Sequence, residues 1–164
     1  MHIAIRRYKT KDIPHLANLM DQFEDYLIEI DTPKIFVPRP KNFGKKYIKE
    51  TIKKIKKGKG AIFVATTQEK VIGLVAGVIQ KSSVIEKLEH GKQVYGNTLE
   101  LFVAEEYRGK GVGKSLLRTM EKYFKVNGCT QLLIGVFAPN KSPHELYKRL
   151  GYKDVGIEMK KLIH

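Results

Sequence analysis

Residues Asn97 to Gly128, NTLELFVAEEYRGKGVGKSLLRTMEKYFKVNG, place a strand, a glycine-rich loop and a helix in immediate succession, and few folds accept such a unit. The run from Leu99 to Val103 is apolar except for Glu100, which shares a face with Phe102 because strand side chains alternate. Leu116, Leu117, Met120 and Phe124 then recur at helical spacing until Gly128 stops the helix. Between the two runs stand Gly109, Gly111 and Gly113. Small residues there let the backbone approach a ligand, and the N–H groups at a helix N-terminus suit a phosphate. A strand, loop and helix in this order belong to an α/β domain.

The remaining elements follow from periodicity. Residues 3–8, IAIRRY, alternate as a first strand. The next segment opens a helix with Asp12 as its cap and Pro14 in its first turn. Ile13, Leu16, Met20, Phe23, Leu27 and Ile30 form its apolar face, and Asp21, Glu24, Asp25 and Glu29 form an acidic one. The three prolines of TPKIFVPRPK end it. From Lys45 to Gly60, Ile48, Ile52 and Ile55 recur helically beneath a lysine face. Ala61 to Ala65 and Val71 to Ile79 read as a hairpin about TTQEK, while Lys81 to Gly96 shows no clear pattern. After Gly128, QLLIGVF reads as a buried strand and SPHELYKRLG as a short helix capped by Ser142 and ended by Gly151. VGIEMKKLI reads as a final strand. The order is β-α-α-β-β-β-α-β-α-β, a mixed α/β (α+β) arrangement in a single domain spanning residues 1–164.

Composition narrows the function classes. At 164 residues and 42% hydrophobic content, the chain can bury one substantial core. No apolar run approaches the roughly 18 residues of a membrane span, and MHIAIRRYK lacks the apolar core of a secretory signal. A soluble, cytoplasmic protein is expected. The lone Cys129 excludes an internal disulfide and suits packing better than catalysis. His2, His15, His90, His144 and His164 form no ligand pair, so no metal site is expected. The net charge of +14 favours an anionic partner, either nucleic acid or a polyphosphate cofactor.

Two common phosphate loops fail against the central glycines. The P-loop template G-x-x-x-x-G-K-[ST] is met only at its end, Gly113-Lys114-Ser115, because its first glycine would fall on Arg108. QLLIGVF also leads to Ala138-Pro139-Asn140, without the aspartate that would position Mg²⁺. The dinucleotide pattern G-x-G-x-x-G meets Lys114 or Leu116 at its third glycine.

Arg108-x-x-Gly111-x-Gly113, directly after a strand and opening a helix, closely resembles the R/Q-x-x-G-x-G/A signature of the GNAT N-acetyltransferase superfamily. Downstream, Asn140, Leu146, Tyr147, Gly151 and Tyr152 match the pattern N-x-x-A-x-x-L-Y-x-x-x-G-F/Y, with Pro143 in place of the alanine. The resemblance implies a GNAT-like domain with a central mixed, mostly antiparallel sheet flanked by helices. It also implies direct transfer of an acetyl group from acetyl-CoA to an amine, with no covalent enzyme intermediate and no metal.

By the same resemblance, the loop Arg108, Gly109, Lys110, Gly111, Val112, Gly113 and Lys114 holds the pyrophosphate. Backbone N–H groups near Phe102 and Val103 polarise the thioester carbonyl, and Asn140 bonds the cofactor arm. Tyr147 protonates the departing thiolate. Glu100 is the candidate base, directly or through a water, since burial raises a carboxyl toward usefulness. The acids Asp21, Glu24, Asp25 and Glu29, with Asp25 and Glu29 foremost, are expected to draw a cationic acceptor such as a polyamine, aminoglycoside, protein lysine or N-terminus. A silent acyl-CoA sensor and a nucleic-acid-associated protein using the lysine helix are the alternatives, as a monomer or homodimer.

Overall fold

In the computed structural model of the chain, which describes residues 2–161 and 163, five strands form one sheet in the order β1-β2-β3-β4-β5. Strands β1 (Ala4–Arg7), β2 (Ala61–Thr67), β3 (Lys70–Lys81) and β4 (Val94–Val103) pair antiparallel, and β5 (Gln131–Ile134) joins β4 in parallel. The helices are α1 (Ile13–Glu29), α2 (Phe43–Lys57), α3 (Val84–His90), α4 (Val112–Val126) and α5 (Lys141–Arg149). Short 3-10 turns occupy Thr10–Asp12 and Glu105–Tyr107. Among the described residues no helix is long and apolar enough to cross a membrane.

Two apolar layers hold the sheet. On one face, Leu16 and Met20 of α1 and Ile48 and Ile55 of α2 pack with Val64, Leu74 and Phe102. On the other, Leu116, Met120 and Phe124 of α4 pack with Ala65, Ile72 and Val75. Covered on both sides, β3 is buried almost continuously instead of alternating. Helices α1 and α2 touch through Gly44, where a Cβ would lie 1.9 Å from the Ala17 carbonyl oxygen. The Gly44 N–H donates to Asp21 Oδ1 at 2.9 Å, which fixes the start of α2 against α1.

The path of β4 creates the site. Ala76 pairs with Glu100 and Gly77 with Thr98, so Leu99 is an extra residue that bends the strand. Strand β5 follows β4 only from Tyr95 to Thr98, and beyond that point the two diverge. One backbone edge of Leu99 to Val103 therefore has no strand beside it.

Several local expectations change. Lys81 to Gly96 contains α3, started by a capping box in which Ser83 Oγ accepts from Glu86 N–H and Glu86 Oε2 accepts from Ser83 N–H. Asp12 does not cap α1; its carboxylate accepts the Lys9 N–H at 2.6 Å and pairs with Arg6 at 2.7 Å. Helix α5 starts at Lys141, so Ser142 lies inside it and Asn140 precedes it. Strand β5 is four residues long and half-buried because it lies at the sheet edge.

The final strand, and with it the last β of the expected order, is not formed. Residues 153–161 carry no strand, and Leu162 lies outside the described residues. Val155, Ile157 and Met159 are 88–90% exposed, and Ile163 is 92% exposed. Their alternation has strand period, but period alone does not bring the N–H and C=O groups of a segment to a neighbouring strand.

Candidate active site

A cavity of about 420 Å³ opens where β4 and β5 part. One half is a slot between the free edge of β4 and residues 134–137, closed by Asn140, Pro143 and Tyr147 of the α5 region. The other half is walled by α1, the connection after it and the start of α2, through Phe23, Glu24, Phe36, Phe43 and Tyr47.

Glu100 stands on the bulged part of β4, facing α1 and α2 as strand alternation predicts. Burial pushes its carboxyl up to about 7; a hydrogen bond from Tyr47 and the charge of Lys54 pull it down, and Glu24 pushes it up. The Tyr47 hydroxyl donates to Glu100 Oε1. Burial, and then the neighbouring Glu100 charge, raise the Tyr47 phenol above its ordinary value, so it stays a donor. Near neutral pH Glu100 is poised between its two forms, where a general base is most effective.

Tyr147 is 7% exposed and lines the slot. Burial pushes its phenol up to about 12, so it carries a proton at neutral pH. Among the described residues its hydroxyl has no hydrogen-bond partner, unlike that of Tyr152, which donates to Glu121 Oε1 at 2.8 Å. Asn140 is also 7% exposed, and its Oδ1 accepts the Tyr26 hydroxyl at 2.9 Å, which ties α1 to the start of α5.

The glycine loop follows β4 through the Glu105–Tyr107 turn. Gly109 and Gly111 have φ of 72° and 79°, a left-handed backbone in which a side chain would be strained. The Ser115 N–H is the first to close back, onto the Gly111 carbonyl at 3.0 Å. The N–H groups of Val112, Gly113 and Lys114 therefore point out of the N-terminus of α4, a ready seat for an anion.

The Arg108 side chain does not extend over this loop. Its Nε donates to the Val103 carbonyl at 3.0 Å, and its guanidinium lies over Tyr26 and Phe102, 4.7 and 5.2 Å from the ring centroids. Lys110 Nζ donates to the Glu106 carbonyl at 2.8 Å, whereas Lys114 is exposed. The Phe102 ring is buried against Phe23 at 5.1 Å, and Val103 packs toward α4. The Phe102 N–H and C=O face β3, whereas the Val103 backbone faces the open edge and is what remains there for a ligand. Cys129 is half-buried in the α4 layer, and burial pushes its thiol up, away from nucleophilic use.

The expected acidic face of α1 divides. Asp25 forms a paired contact with Arg39 at 2.6 and 3.0 Å, and Asp21 accepts from Arg39 at 2.8 Å. Neither Asp25 nor the exposed Glu29 lines the cavity, whereas Glu24 does. Tyr47 and Arg39 escaped the sequence reading. Tyr47 carried a weak signal, an aromatic set between Lys46 and Ile48 on the lysine-rich α2.

A model of the acetyltransferase (GNAT) family matches residues 18–152. The chain is 32% identical over 100 residues to an uncharacterised N-acetyltransferase of Methanocaldococcus jannaschii, covering 61% of this chain and 42% of that protein. It is 30% identical over 95 residues to the N-acetylaspartate synthetase of Xenopus tropicalis, covering 58% and 31%. The chain thus spans less than half the length of these relatives. Among solved structures, an aminoglycoside N-acetyltransferase in complex with CoA superposes with a TM-score of 0.69 at 18% identity, covering 99% of this chain and 95% of that one. That likeness is one of fold. With most of its length matched by the family model, the chain belongs to the GNAT acetyltransferase family.

Proposed function

We propose that the chain transfers an acetyl group from acetyl-CoA directly to a primary amine of a cationic acceptor. The observation that carries this is a buried carboxyl poised near neutrality and a buried, protonated tyrosine lining one cavity, at the open edge of β4.

The residues present fit the cosubstrate. The N-terminus of α4 offers three free N–H groups to a pyrophosphate, and the slot beside β4 is open to a thin arm. Acetyl-CoA supplies an activated thioester carbonyl. Glu100 accepts a proton from the incoming ammonium, directly or through a water, which frees the nitrogen lone pair to attack the carbonyl carbon. Backbone N–H groups near Phe102 and Val103 receive the charge that develops on the carbonyl oxygen. As the C–S bond breaks, Tyr147 donates its proton to the sulfur, the nitrogen of the adduct gives up its second proton to solvent, Tyr147 recovers a proton from solvent, and Glu100 releases the one it took. Cys129 takes no part.

Arg108 acts here through position, holding the loop to the end of β4 while Lys114 adds charge at the phosphates. On the acceptor side, Glu24 is the one of the four expected acids of α1 that lines the cavity.

The test is acetyl-CoA-dependent thiol release across a panel of amines and peptides, with Glu100→Gln and Tyr147→Phe alongside. Turnover that collapses in both variants supports the reading. Tight CoA binding without turnover of any acceptor would support a sensor instead.

A further inference from the structure

The walls of the acceptor half differ sharply in chemistry from those of the loop. We propose that the acceptor is an amine on a slender alkyl or arylalkyl arm that bears no carboxylate or phosphate, seated with its ammonium between Glu24 and Glu100. The proposal rests on the acetyl-transfer reading of the same cavity.

Charge is the first argument. In a chain of net charge +14, no lysine, arginine or histidine lines this cavity among the described residues. Arg39 is held by Asp21 and Asp25, and Lys54, whose charge reaches Glu100, stands outside the lining. An anionic group on the acceptor would lose its hydration and meet no cation, a costly arrangement. It would meet the Glu24 and Glu100 carboxylates instead.

Glu24 carries the second argument. It has no hydrogen-bond or ion-pair partner among the described residues, and burial and then Asp25 push its carboxyl up while Arg39 pulls it down. A carboxylate left without a cation beside the base suits an incoming ammonium.

The third argument is the apolar lining. Phe23, Phe36, Phe43 and Tyr47 wall the space, with Phe36 set edge-on to Phe137 at 5.2 Å and Phe43 tilted on Tyr47 at 5.2 Å. Aromatic faces attract an ammonium and accept an apolar arm. Two of the polar groups nearby are already engaged, since the Tyr47 hydroxyl donates to Glu100 and Asn140 Oδ1 accepts from Tyr26. The hydroxyls of an amino sugar would find few partners here, which disfavours polyol acceptors.

The connection that brings Phe36 into place is fixed from outside. Arg39 ties it to α1, and Asp31 Oδ2 accepts the Phe36 N–H at 2.7 Å. The wall therefore exists before the acceptor arrives.

Matched pairs that differ by one carboxylate test this: cadaverine with lysine, and phenethylamine with phenylalanine, with glucosamine as the polyol. By thiol release with acetyl-CoA, each amine is expected to exceed its amino acid by about 100-fold in kcat/KM. Glu24→Gln raises the amine KM about 10-fold with kcat within about twofold, a split that marks a binding role. Glu24→Lys moves the preference toward the amino acids. Equal turnover of a pair, or glucosamine as the best acceptor, overturns the proposal.

If no acceptor turns over, calorimetry of the same pairs on the unaltered protein with acetyl-CoA still decides. Binding of the amines and not of the amino acids upholds the assignment of the cavity and sinks only the transfer chemistry. Equal binding within the pairs, or none, sinks the assignment.

Discussion

Asp21 and Asp25 lie on the same helix as Glu24, one turn apart at most, yet they are used in opposite ways. The aspartates face the connection after α1 and share Arg39, so their charge is spent on holding that segment in place. Glu24 turns to the cavity, where with Glu100 it meets aromatic rings and no cation. Paired acids at a surface contribute architecture. Acids without an ion-pair partner among apolar walls have their pKa raised by burial, and an incoming cation would favour their charged form.

Removing Glu100 should break this contrast most severely. Glu100→Gln is expected to lower kcat/KM by about 10²–10⁴-fold if the carboxylate is the base. In the unaltered protein the rate should climb with pH to a plateau above about 7, because the working form is the ionised one. The same group has a stability signature of the opposite sense. Its folded value is raised from 4.5 to about 7, so the stability it contributes is complete below 4.5 and is lost as pH rises through about 7. Thermal melts of Glu100→Gln across that window should lack this decline.

Tyr147→Phe comes next, with kcat expected to fall by about 10²-fold and the acidic limb of the profile unchanged, since the proton donor and not the base has gone. Tyr47→Phe sharpens the contrast more gently. It removes the hydrogen bond that pulls Glu100 down, so the acidic limb should move to higher pH, with a loss of a few-fold at neutral pH. A limb that stays in place would mean that Tyr47 only packs.

Arg39→Ala tests the paired side. Freeing the connection should raise the acceptor KM by a few-fold while leaving kcat and CoA affinity near their starting values. Asp25→Asn, at a half-exposed ion pair, should change KM by no more than about twofold. An effect as large as that of Glu24→Gln would erase the distinction between the two sets of acids.

Much of the glycine-loop region was legible because its signals are local. Gly109 and Gly111 show the positive φ that glycine suits, Glu100 shares the face of Phe102, and Gly128 at φ 79° follows the end of α4. The period of four at Leu116, Met120 and Phe124 was enough to fix one buried face of that helix. The capping box of α3 was equally local, Ser83 with Glu86, and was readable in principle. The last strand shows where pattern stops: Val155, Ile157 and Met159 alternate correctly yet form no strand among the described residues, since period alone does not pair a backbone with a neighbour.

The strand, loop and helix that end in three free N–H groups are local properties of the chain, because backbone conformation there depends on glycine and on nearest neighbours. Tertiary structure decided which acids are available. Tyr47 reaches Glu100 from 53 residues away, Tyr26 reaches Asn140 across 114, and Arg39 selects Asp21 and Asp25 over Glu24. Charge and hydrogen bonding act through space, so a helical face that reads as uniformly acidic is divided only when another segment folds against it.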